Sequence, residues 1–336
     1  MNPPLLRFGL IGAGRHGSRY ARHLVAGDVP GACLQVLTRR DAVWGRALAD
    51  ELGVAFEPSW QDLLQRDDID AAILVVPVGC HRELALAVAE RGLPLLIEKP
   101  FACNAAQADV IQQAFADRAC PLCVAQTVRF DPLTRELFAR APEFGSLVAF
   151  DFQQRLEPRG LAWEDDPEAA CGGVVIQTLV HTLDALRVVT RATATEVLHS
   201  HLDRVRYQRN EDHALGLLAL ASPLASGRRV QGLVAGSKVS ASRQMRYQLL
   251  FDDGALEADY VQRTLRVTHG GERRVLEVPP APTVPALLSA FVAHVLGKGD
   301  NPVPPADAIE TMRLVDSVYA TSGQGSHSSK QPPGSV

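Results

Sequence analysis

The sequence predicts a two-domain α/β protein in which a doubly wound parallel sheet is followed by a mostly antiparallel sheet. From residue 5 to about 126, short aliphatic runs alternate with longer amphipathic stretches, which is the pattern of repeated βαβ units. A glycine-rich loop separates the first aliphatic run from the helix after it. Beyond Phe130, a series of short strands with turn signals between them replaces the alternation and favours antiparallel pairing.

The first domain is predicted over residues 5–127. Its strands are expected at 6–11, 32–38, 54–56, 71–76, 94–97 and 122–125. The helices between them are expected at 15–26, 41–52, 60–65, 80–91 and 104–118. Gly27 and Gly92 lie just past two of these helices, where glycine readily adopts the left-handed conformation that ends a helix.

The second domain is predicted over residues 128–321. It has a long strand at 146–155 and a buried helix at 172–190. Further strands are expected at 194–202, 213–221, 228–235, 245–252, 255–259, 263–268 and 273–278, and final helices at 284–297 and 306–321. Residues 322–336 are rich in Gly, Ser, Pro and Gln and are expected to be disordered, because they have little apolar surface to bury.

Composition excludes several classes of protein. The chain has 336 residues, a formal net charge of −4 and 46% hydrophobic residues, so it can form a globular core and lacks the positive field that holds nucleic acid. Its apolar runs are far shorter than the roughly 20 residues of a membrane span, and the N-terminus lacks the features of a secretory signal. A cytoplasmic location is therefore predicted.

The six cysteines are expected to be reduced thiols packed in core elements, as is usual in a reducing compartment. Cys120 and Cys123 form a C-x-x-C pair, but no second pair or histidine cluster lies near it. No metal site is therefore predicted.

The glycine-rich loop follows a strand and opens a helix, which is the context that a G-x-G-x-x-G motif requires. Glycines permit a tight turn and a close approach of backbone to pyrophosphate, and the helix N-terminus stabilises its negative charge. The loop therefore predicts a dinucleotide-binding Rossmann domain. Its residues are Gly12, Ala13, Gly14, Arg15, His16 and Gly17.

The end of the second strand indicates which dinucleotide is bound. An acidic residue there would bind the ribose hydroxyls of NAD, but the sequence has Thr38, Arg39 and Arg40. A hydroxyl and two guanidinium groups suit the 2′-phosphate of NADP, and Asp41 is expected to cap the next helix. The alternative is that both arginines are solvated and that Asp41 selects NAD.

Two further groups of polar residues are candidates for the chemistry. Lys99 follows Glu98 at the end of the fifth strand, and ligands bind beyond the carboxyl ends of parallel strands; the alternative is a surface ion pair between these two residues. Gln177, His181 and Asp184 recur at i, i+4 and i+7 of the buried helix and are predicted to form one polar stripe.

These residues resemble the glucose-fructose oxidoreductase / inositol dehydrogenase / MocA (Gfo/Idh/MocA) family of NAD(P)-dependent sugar and polyol oxidoreductases, over nearly the whole chain. Glu98-Lys99-Pro100 with the downstream His181-x-x-Asp184 is the specific part of the resemblance, whereas a glycine loop alone is not. The other shared motifs are Pro77-x-x-x-His81, Arg129-Phe130-x-Pro132, Gly172-Gly173 and Pro302-Val303.

The resemblance implies a Rossmann domain, a second α/β domain with an open antiparallel sheet that often forms a dimer or tetramer interface, and hydride transfer between nicotinamide and a substrate carbon. It implies that Lys99 and His181 lie at the reacting hydroxyl, and that Pro77, Glu98 and Lys99 belong to the cofactor site. Members of the family usually carry aspartate where this chain has Gln177, and Leu179 replaces a usual glycine.

An amide does not titrate, so Gln177 can orient a substrate hydroxyl but cannot take its proton. The general base is then His181 or Lys99. Histidine titrates near neutral pH unperturbed, whereas lysine needs desolvation or a neighbouring cation. We prefer His181 as the base and Lys99 as the charge that polarises the oxygen, and the sequence leaves an exchange of these roles open. Asp184 is expected to orient the imidazole or else to pair with Arg187.

Three other residues are weaker candidates. Arg129 and Trp163 are expected to line the sugar site, one by hydrogen bonds and the other by ring stacking. His81 is expected to help place the nicotinamide ribose. For each of them, packing within the protein is the alternative.

The sequence thus predicts an NAD(P)-dependent oxidoreductase that acts on a secondary alcohol or the matching carbonyl of a sugar, cyclitol or sugar derivative, as a homodimer or homotetramer. Two alternatives stay open. One is a non-catalytic NADP-binding regulator on the same scaffold, in which Gln177 marks lost chemistry. The other is a bilin or imine reductase.

Overall fold

The computed structural model of the protein describes residues 5–323, which form two compact units. The first unit comprises residues 5–102, Ala106–Phe130 and Ala281–Ile309. The second comprises Cys103–Ala105, Asp131–Pro280 and residues 310–323. All but two residues of the predicted C-terminal tail lie outside the described residues.

The first unit contains a parallel sheet with, in residues 5–323, the strand order β3-β2-β1-β4-β5-β6. This is the predicted doubly wound arrangement. Its strands are β1 (Leu6–Ile11), β2 (Ala32–Thr38), β3 (Ala55–Glu57), β4 (Ala71–Leu74), β5 (Leu95–Glu98) and β6 (Leu122–Ala125). The crossover helices are α1 (Gly17–Val25), α2 (Ala42–Leu52), α3 (Trp60–Gln65), α4 (His81–Glu90) and α5 (Ala105–Ala116).

The second unit contains a sheet whose strand order, within the described part of the chain, is β14-β13-β12-β11-β7-β10-β9-β8. Only β7 and β10 pair in parallel there, so the sheet is mostly antiparallel, as predicted. Its strands are β7 (Leu147–Arg155), β8 (Ala194–Asp203), β9 (His213–Ala221), β10 (Arg229–Ser237), β11 (Gln244–Phe251), β12 (Gly254–Asp259), β13 (Thr264–His269) and β14 (Glu272–Glu277). The remaining helices are α6 (Pro132–Arg140), α7 (Pro167–Ala170), α8 (Val180–Val189), α9 (Thr283–Val295) and α10 (Pro305–Thr321), of which α9 and the first turn of α10 belong to the first unit.

The two compact units do not coincide with the two contiguous domains predicted from the sequence. Helix α9 returns to the first unit, where the ring of Phe291 lies 6.2 Å from that of Phe8 on β1. Both side chains are fully buried. A sequence pattern shows that α9 has apolar positions to bury, but not which sheet covers them.

The sequence analysis did not predict α6. The signal for it was present, because Asp131 precedes Pro132 and the two form an N-cap followed by proline at the first helical position. The Asp131 carboxylate accepts a hydrogen bond from the Leu133 N–H at 2.9 Å.

One helical stretch in residues 5–323, Pro167–Val189, is long and apolar enough by composition to cross a membrane, but 78% of its most apolar window is buried inside the fold. Such burial is typical of a core helix in a folded domain. The search for uninterrupted apolar runs missed the stretch because polar residues interrupt it.

The expectation that all six cysteines are reduced is wrong for one pair. Cys103 and Cys171 form a disulfide, with Cα atoms 5.2 Å apart. Of the remaining thiols, Cys123 is buried and Cys80 is exposed. The bonded cysteines are 68 residues apart in sequence, so only the folded chain shows that they meet.

Candidate active site

The glycine loop lies where the strand order of the first unit reverses. Strands β1 and β4 are neighbours, and the Val75 N–H after β4 donates to the Ile11 carbonyl at 2.9 Å. The segments that leave the carboxyl ends of these two strands therefore run side by side. In open parallel sheets, ligands bind in the crevice at this position.

The backbone of the loop has no room for side chains at two of its glycines. Gly12 has a φ of +98°, and a Cβ on it would lie 2.2 Å from the carbonyl oxygen of Val75. A Cβ on Gly17, the first residue of α1, would lie 2.1 Å from the carbonyl oxygen of Gly12. At Gly14, nothing lies within 4 Å of the Cβ position. The loop thus packs closely on the protein and leaves its outer backbone open at the helix N-terminus, which fits a pyrophosphate.

The end of β2 carries the residues predicted to choose between NADP and NAD. Thr38 is buried, Arg39 is half-buried and Arg40 is exposed, and neither guanidinium forms an ion pair with a carboxylate of residues 5–323. Asp41 caps α2, since its carboxylate accepts a hydrogen bond from the Trp44 N–H at 3.2 Å. This is the conformation of Asp41 that the NADP interpretation requires.

A buried carboxylate joins the glycine loop to the end of β5. The Oε1 atom of Glu98 lies 2.6 Å from the hydroxyl of Tyr20 and 2.7 Å from Nε2 of His16, while its Oε2 accepts the backbone N–H of Lys99 at 3.0 Å. Burial alone would raise the pKa of Glu98, but the hydrogen bond and charge of His16 and the charge of Lys99 outweigh it, so the pKa lies below its usual value. Glu98 therefore faces the loop and α1, contrary to the surface ion pair with Lys99.

His81 supports the segment that follows Lys99. Its ring is completely buried, with Nδ1 3.2 Å from the carbonyl oxygen of Phe101 and Nε2 3.1 Å from that of Val76. Burial lowers the pKa of His81. The peptide bond between Lys99 and Pro100 is cis. We therefore expect His81 to act on a cofactor through the position of this segment, next to Pro77, which begins the turn before α4.

The second unit holds the predicted polar stripe, but its helix is not regular there. Residues Val175–Leu179 form a π turn, in which the Val180 N–H bonds to the Val175 carbonyl, five residues back. A π turn is wider than an α turn and is frequent at functional sites. The predicted polar stripe assumed that Gln177 and His181 are one regular α turn apart, and the π turn shows that they are not. Gln177 is buried and His181 is half-buried.

Asp184 lies in the interior of the second unit rather than on the helix surface. It is 1% exposed, and its Oδ1 accepts a hydrogen bond from the hydroxyl of Thr311 at 3.2 Å. The same hydroxyl oxygen accepts from Nη1 of Arg187 at 3.1 Å. Asp184 and Arg187 thus share a partner on α10.

Gln177 belongs to a buried cluster that the sequence analysis missed. Its Nε2 donates to the carbonyl oxygens of Glu164 at 2.9 Å and Gly172 at 2.8 Å, and its Oε1 accepts from Nζ of Lys238 at 2.5 Å. Lys238 also donates to Oε1 of Glu164 at 3.1 Å. We call Glu164, Gln177 and Lys238 the Lys238 cluster. A signal existed, because Lys238 is one of only four lysines and directly follows the apolar strand β10.

The remaining predicted residues have mixed surroundings. Arg129 donates from Nη1 to Asp307 at 3.1 Å and is largely buried, so it has a structural partner within the first unit. Trp163 is 38% exposed, directly before buried Glu164. Arg15 is exposed on the glycine loop.

Comparison with known proteins agrees with this geometry. Residues 6–126 match the NAD-binding Rossmann fold of an oxidoreductase family, and residues 141–329 match the C-terminal alpha/beta domain of the same family. The chain belongs to the Gfo/Idh/MocA family. The resemblance and the fold class predicted from the sequence are thereby confirmed, and this Gfo/Idh/MocA protein is an NAD(P)-dependent oxidoreductase.

Two curated relatives illustrate the range of the family. A D-xylose 1-dehydrogenase (NADP(+)) from Haloferax volcanii is 26% identical over 95% of this chain and 98% of its own length. A scyllo-inositol 2-dehydrogenase (NAD(+)) from Bacillus subtilis is 28% identical over 57% of this chain and 56% of its own length. These relatives act on sugars or polyols and differ in their cofactor.

A solved structure has the same fold. A 3-ketoreductase from Actinomadura kijaniata, crystallised with NADP and TDP-benzene, superposes with a TM-score of 0.83 over 95% of this chain and 98% of that chain. Its sequence is 19% identical, so the likeness shows the fold alone.

Proposed function

We propose that this Gfo/Idh/MocA protein uses NADP(H) to interconvert a secondary alcohol and the matching carbonyl of a sugar, cyclitol or sugar derivative. The observation that carries the proposal is the buried Glu98 carboxylate, which binds side chains of the glycine loop and α1 as well as the backbone of Lys99. The dinucleotide loop and a lysine at the carboxyl end of β5 thus belong to one fixed structure. When bound, the cofactor supplies or accepts a hydride at its nicotinamide.

The cofactor preference for NADP rests on the end of β2. With Asp41 engaged as the cap of α2, Thr38, Arg39 and Arg40 offer a hydroxyl and two guanidinium groups to a 2′-phosphate. NAD binding would need a carboxylate for the ribose hydroxyls. The first carboxylate after β2 is that of Asp41, and it caps α2 instead. NAD is the alternative cofactor.

Lys99 and His181 share the acid-base chemistry in this proposal. The Lys99 ammonium holds the substrate oxygen and stabilises the negative charge that develops as its proton leaves. His181 takes that proton during oxidation and returns it during reduction. Gln177 supplies no proton, because a carboxamide does not titrate. Arg129 and Trp163 remain proposed sugar contacts, and the ion pair of Arg129 with Asp307 favours Trp163 of the two.

The substrate class rests on the two curated relatives, which are dehydrogenases of D-xylose and of scyllo-inositol. A pentose and a cyclitol share ring hydroxyls on secondary carbons. We therefore propose a polyhydroxylated ring or its keto form as the substrate.

A titration with reduced cofactors tests the proposal first. NADPH and NADH are added separately to purified protein and binding is followed by fluorescence, after which a panel of sugars, cyclitols and their keto forms is screened by nicotinamide absorbance. Binding that favours NADPH, followed by turnover on at least one polyol, is expected. Tight NADPH binding without any hydride transfer would instead support the non-catalytic regulator, and binding of neither cofactor would refute the proposal.

We also propose that the outward face of the second-unit sheet pairs with a second copy of the chain. This face exposes Leu215, Leu217 and Leu233 by 46%, 36% and 52%, around a depression of about 440 Å³. Exposed apolar patches of this kind mark association surfaces. Homodimer and homotetramer are both compatible with it.

The cytoplasmic location stays a prediction. A disulfide between Cys103 and Cys171 is unusual in a reducing compartment, so the cysteines no longer support it. Cell fractionation with an antibody to the protein is the direct test.

A further inference from the structure

We propose that Lys238 is a positioning residue, which together with Glu164 holds Gln177 as an amide in the π turn and thereby sets the position of His181. The inference rests on the proposed function, in which His181 is the acid-base group. In this inference Gln177 has a structural role in the site and is not the remnant of a lost catalytic carboxylate.

The surroundings of residue 177 select an amide. Two carbonyl oxygens, of Glu164 and Gly172, accept from Nε2 of Gln177 at 2.9 and 2.8 Å, and that of Glu164 also accepts from Nδ2 of Asn210 at 3.0 Å. The Lys238 ammonium lies 2.5 Å from Oε1 and needs an acceptor. Only a carboxamide offers two donors on one side and an acceptor on the other. A carboxylate there would direct one oxygen at two carbonyl oxygens.

The ammonium that fixes this orientation is itself fixed. The side chains of Lys238 and Glu164 are 2% and 0% exposed, and their Nζ and Oε1 atoms are 3.1 Å apart. Arg159 also donates to Oε1 of Glu164, and the hydroxyl of Tyr207 donates to Oε2 at 2.9 Å. A buried ion pair held by further hydrogen bonds leaves few alternative geometries.

The charges of this pair are mutually dependent. Burial lowers the pKa of Lys238, although the charge of Glu164 opposes that shift. Burial alone would raise the pKa of Glu164, but the charges of Lys238 and Arg159 outweigh it and the pKa lies below its usual value. Each group therefore favours the ionised form of the other inside the unit.

A second contact ties the same strand end to the same π turn. A Cβ on Gly236 would lie 2.6 Å from Cγ of Leu179, so β10 can approach the turn only because position 236 is glycine. Lys238 lies two residues after Gly236, just past the end of the strand, and Gln177 and Leu179 are likewise two residues apart on the turn. The end of β10 thus fits the π turn at two points, one apolar and one polar.

This fit matters for His181 because the π turn leads directly into α8, where His181 is the second residue. The wider turn changes the direction of every side chain after it relative to a regular helix. Loss of the contacts at residues 177 and 179 is therefore expected to let the turn relax and to move the imidazole.

Two variants and two matched controls test the inference. Gln177→Glu keeps size and adds a charge, and Lys238→Met removes the ammonium. Gln208→Glu and Lys298→Met make the same changes at exposed positions. Both test variants are expected to lower Tm relative to their controls and to reduce kcat by about tenfold to a hundredfold, the effect of a small displacement of a reacting group. The Kd for NADPH is expected to stay within about twofold, since cofactor residues lie in the first unit.

The pH profile separates positioning from catalysis. If Gln177→Glu matches or exceeds the wild-type kcat, or if the acid limb of its kcat/KM profile moves to lower pH, residue 177 faces substrate as a base and the inference is overturned. If Lys238→Met does not fold, the Glu164→Gln/Lys238→Met double variant removes both charges together. That variant is expected to fold with a low kcat, and a wild-type kcat in it would equally overturn the inference.

Failure of the proposed function gives a different result. It would appear as a wild-type protein that transfers no hydride to any compound of the screen. The Tm differences would still decide the inference in that case, because Tm values of Gln177→Glu and Lys238→Met equal to those of their controls would overturn it.

Discussion

Each unit of the protein buries a glutamate beside a lysine, and the two pairs are used differently. In the first unit, Glu98 accepts the backbone N–H of Lys99 and the side chains of His16 and Tyr20. In the second, Glu164 accepts the ammonium of Lys238 itself. The first carboxylate fixes the backbone from which its lysine extends, whereas the second holds the lysine side chain in place. Burial of a carboxylate alone therefore does not indicate the role of the lysine beside it. The hydrogen-bond partners of the carboxylate do, because they show whether the backbone or the side chain of the lysine is held.

The two pairs also differ in how far apart their members lie in the sequence. Glu98 and Lys99 are adjacent, and a motif reveals them together. Glu164 and Lys238 are 74 residues apart, and Gln177 is 61 residues from Lys238. We propose Lys99 as a catalytic lysine and Lys238 as a positioning lysine.

Removal of the proposed chemical groups is expected to have the largest effect. Lys99→Ala or His181→Ala should lower kcat by about a hundredfold or more, the usual range for a lost acid-base group. Steady-state kinetics with the best substrate of the screen measures this, and Lys298→Ala, at an exposed position, is the control. Normal turnover in both variants would show that Lys99 is not a catalytic residue.

Cofactor selection is expected to come next in size. Arg39→Ala should weaken NADPH binding by about tenfold to a hundredfold, the equivalent of one or two hydrogen bonds to a charged group, and should change NADH binding by less than about twofold. Fluorescence titration measures both constants, with Arg82→Ala as an exposed control. Equal losses for the two cofactors would contradict the role of Arg39 at the 2′-phosphate.

Loss of the Glu98 carboxylate is expected to reduce stability. The folded pKa of Glu98 is below its ordinary value of 4.5, so its contribution is complete above that pH and is lost as the pH falls through the lower folded pKa. Glu98→Gln should lower the free energy of unfolding at neutral pH by about 1–3 kcal/mol and flatten its decline in acid. Denaturant unfolding across pH measures this, with Glu90→Gln at an exposed site as control. An unchanged acid slope would mean that Glu98 is not held as an anion.

Disruption of the outward sheet face is expected to lower the mass of the protein in solution and to leave its free energy of unfolding unchanged. Leu233→Glu places a charge on a side chain that is 52% exposed, so a dimer or tetramer should dissociate at micromolar concentration. Light scattering reports the mass, and Val43→Glu, at a position 79% exposed in the first unit, is the control. A mass equal to that of the wild type would exclude this face as the interface.

Most of the fold and the first-unit site could be predicted because their signals are local. The strands and helices of the Rossmann unit follow from alternating apolar runs, and the loop Gly12–Gly17 and Glu98-Lys99 follow from short motifs. The capping role of Asp41 followed from its place before a helix, and the structure has it. The partners of Glu98 were not predicted, since His16 and Tyr20 are 82 and 78 residues away.

The sequence by itself determined the order of the strands, the dinucleotide loop and the family, because each depends on residues close together in the chain or on a regular period of apolar side chains. Only the tertiary structure decided that α9 returns to the first unit, that Cys103 bonds to Cys171, and that a π turn replaces a regular helix at Gln177. Those features depend on which distant groups the folded chain brings together, namely an apolar face for α9, a second thiol for Cys103 and buried hydrogen-bond partners for Gln177. A buried polar group takes whatever partner the packed chain brings within hydrogen-bond distance, and sequence spacing carries no record of that partner.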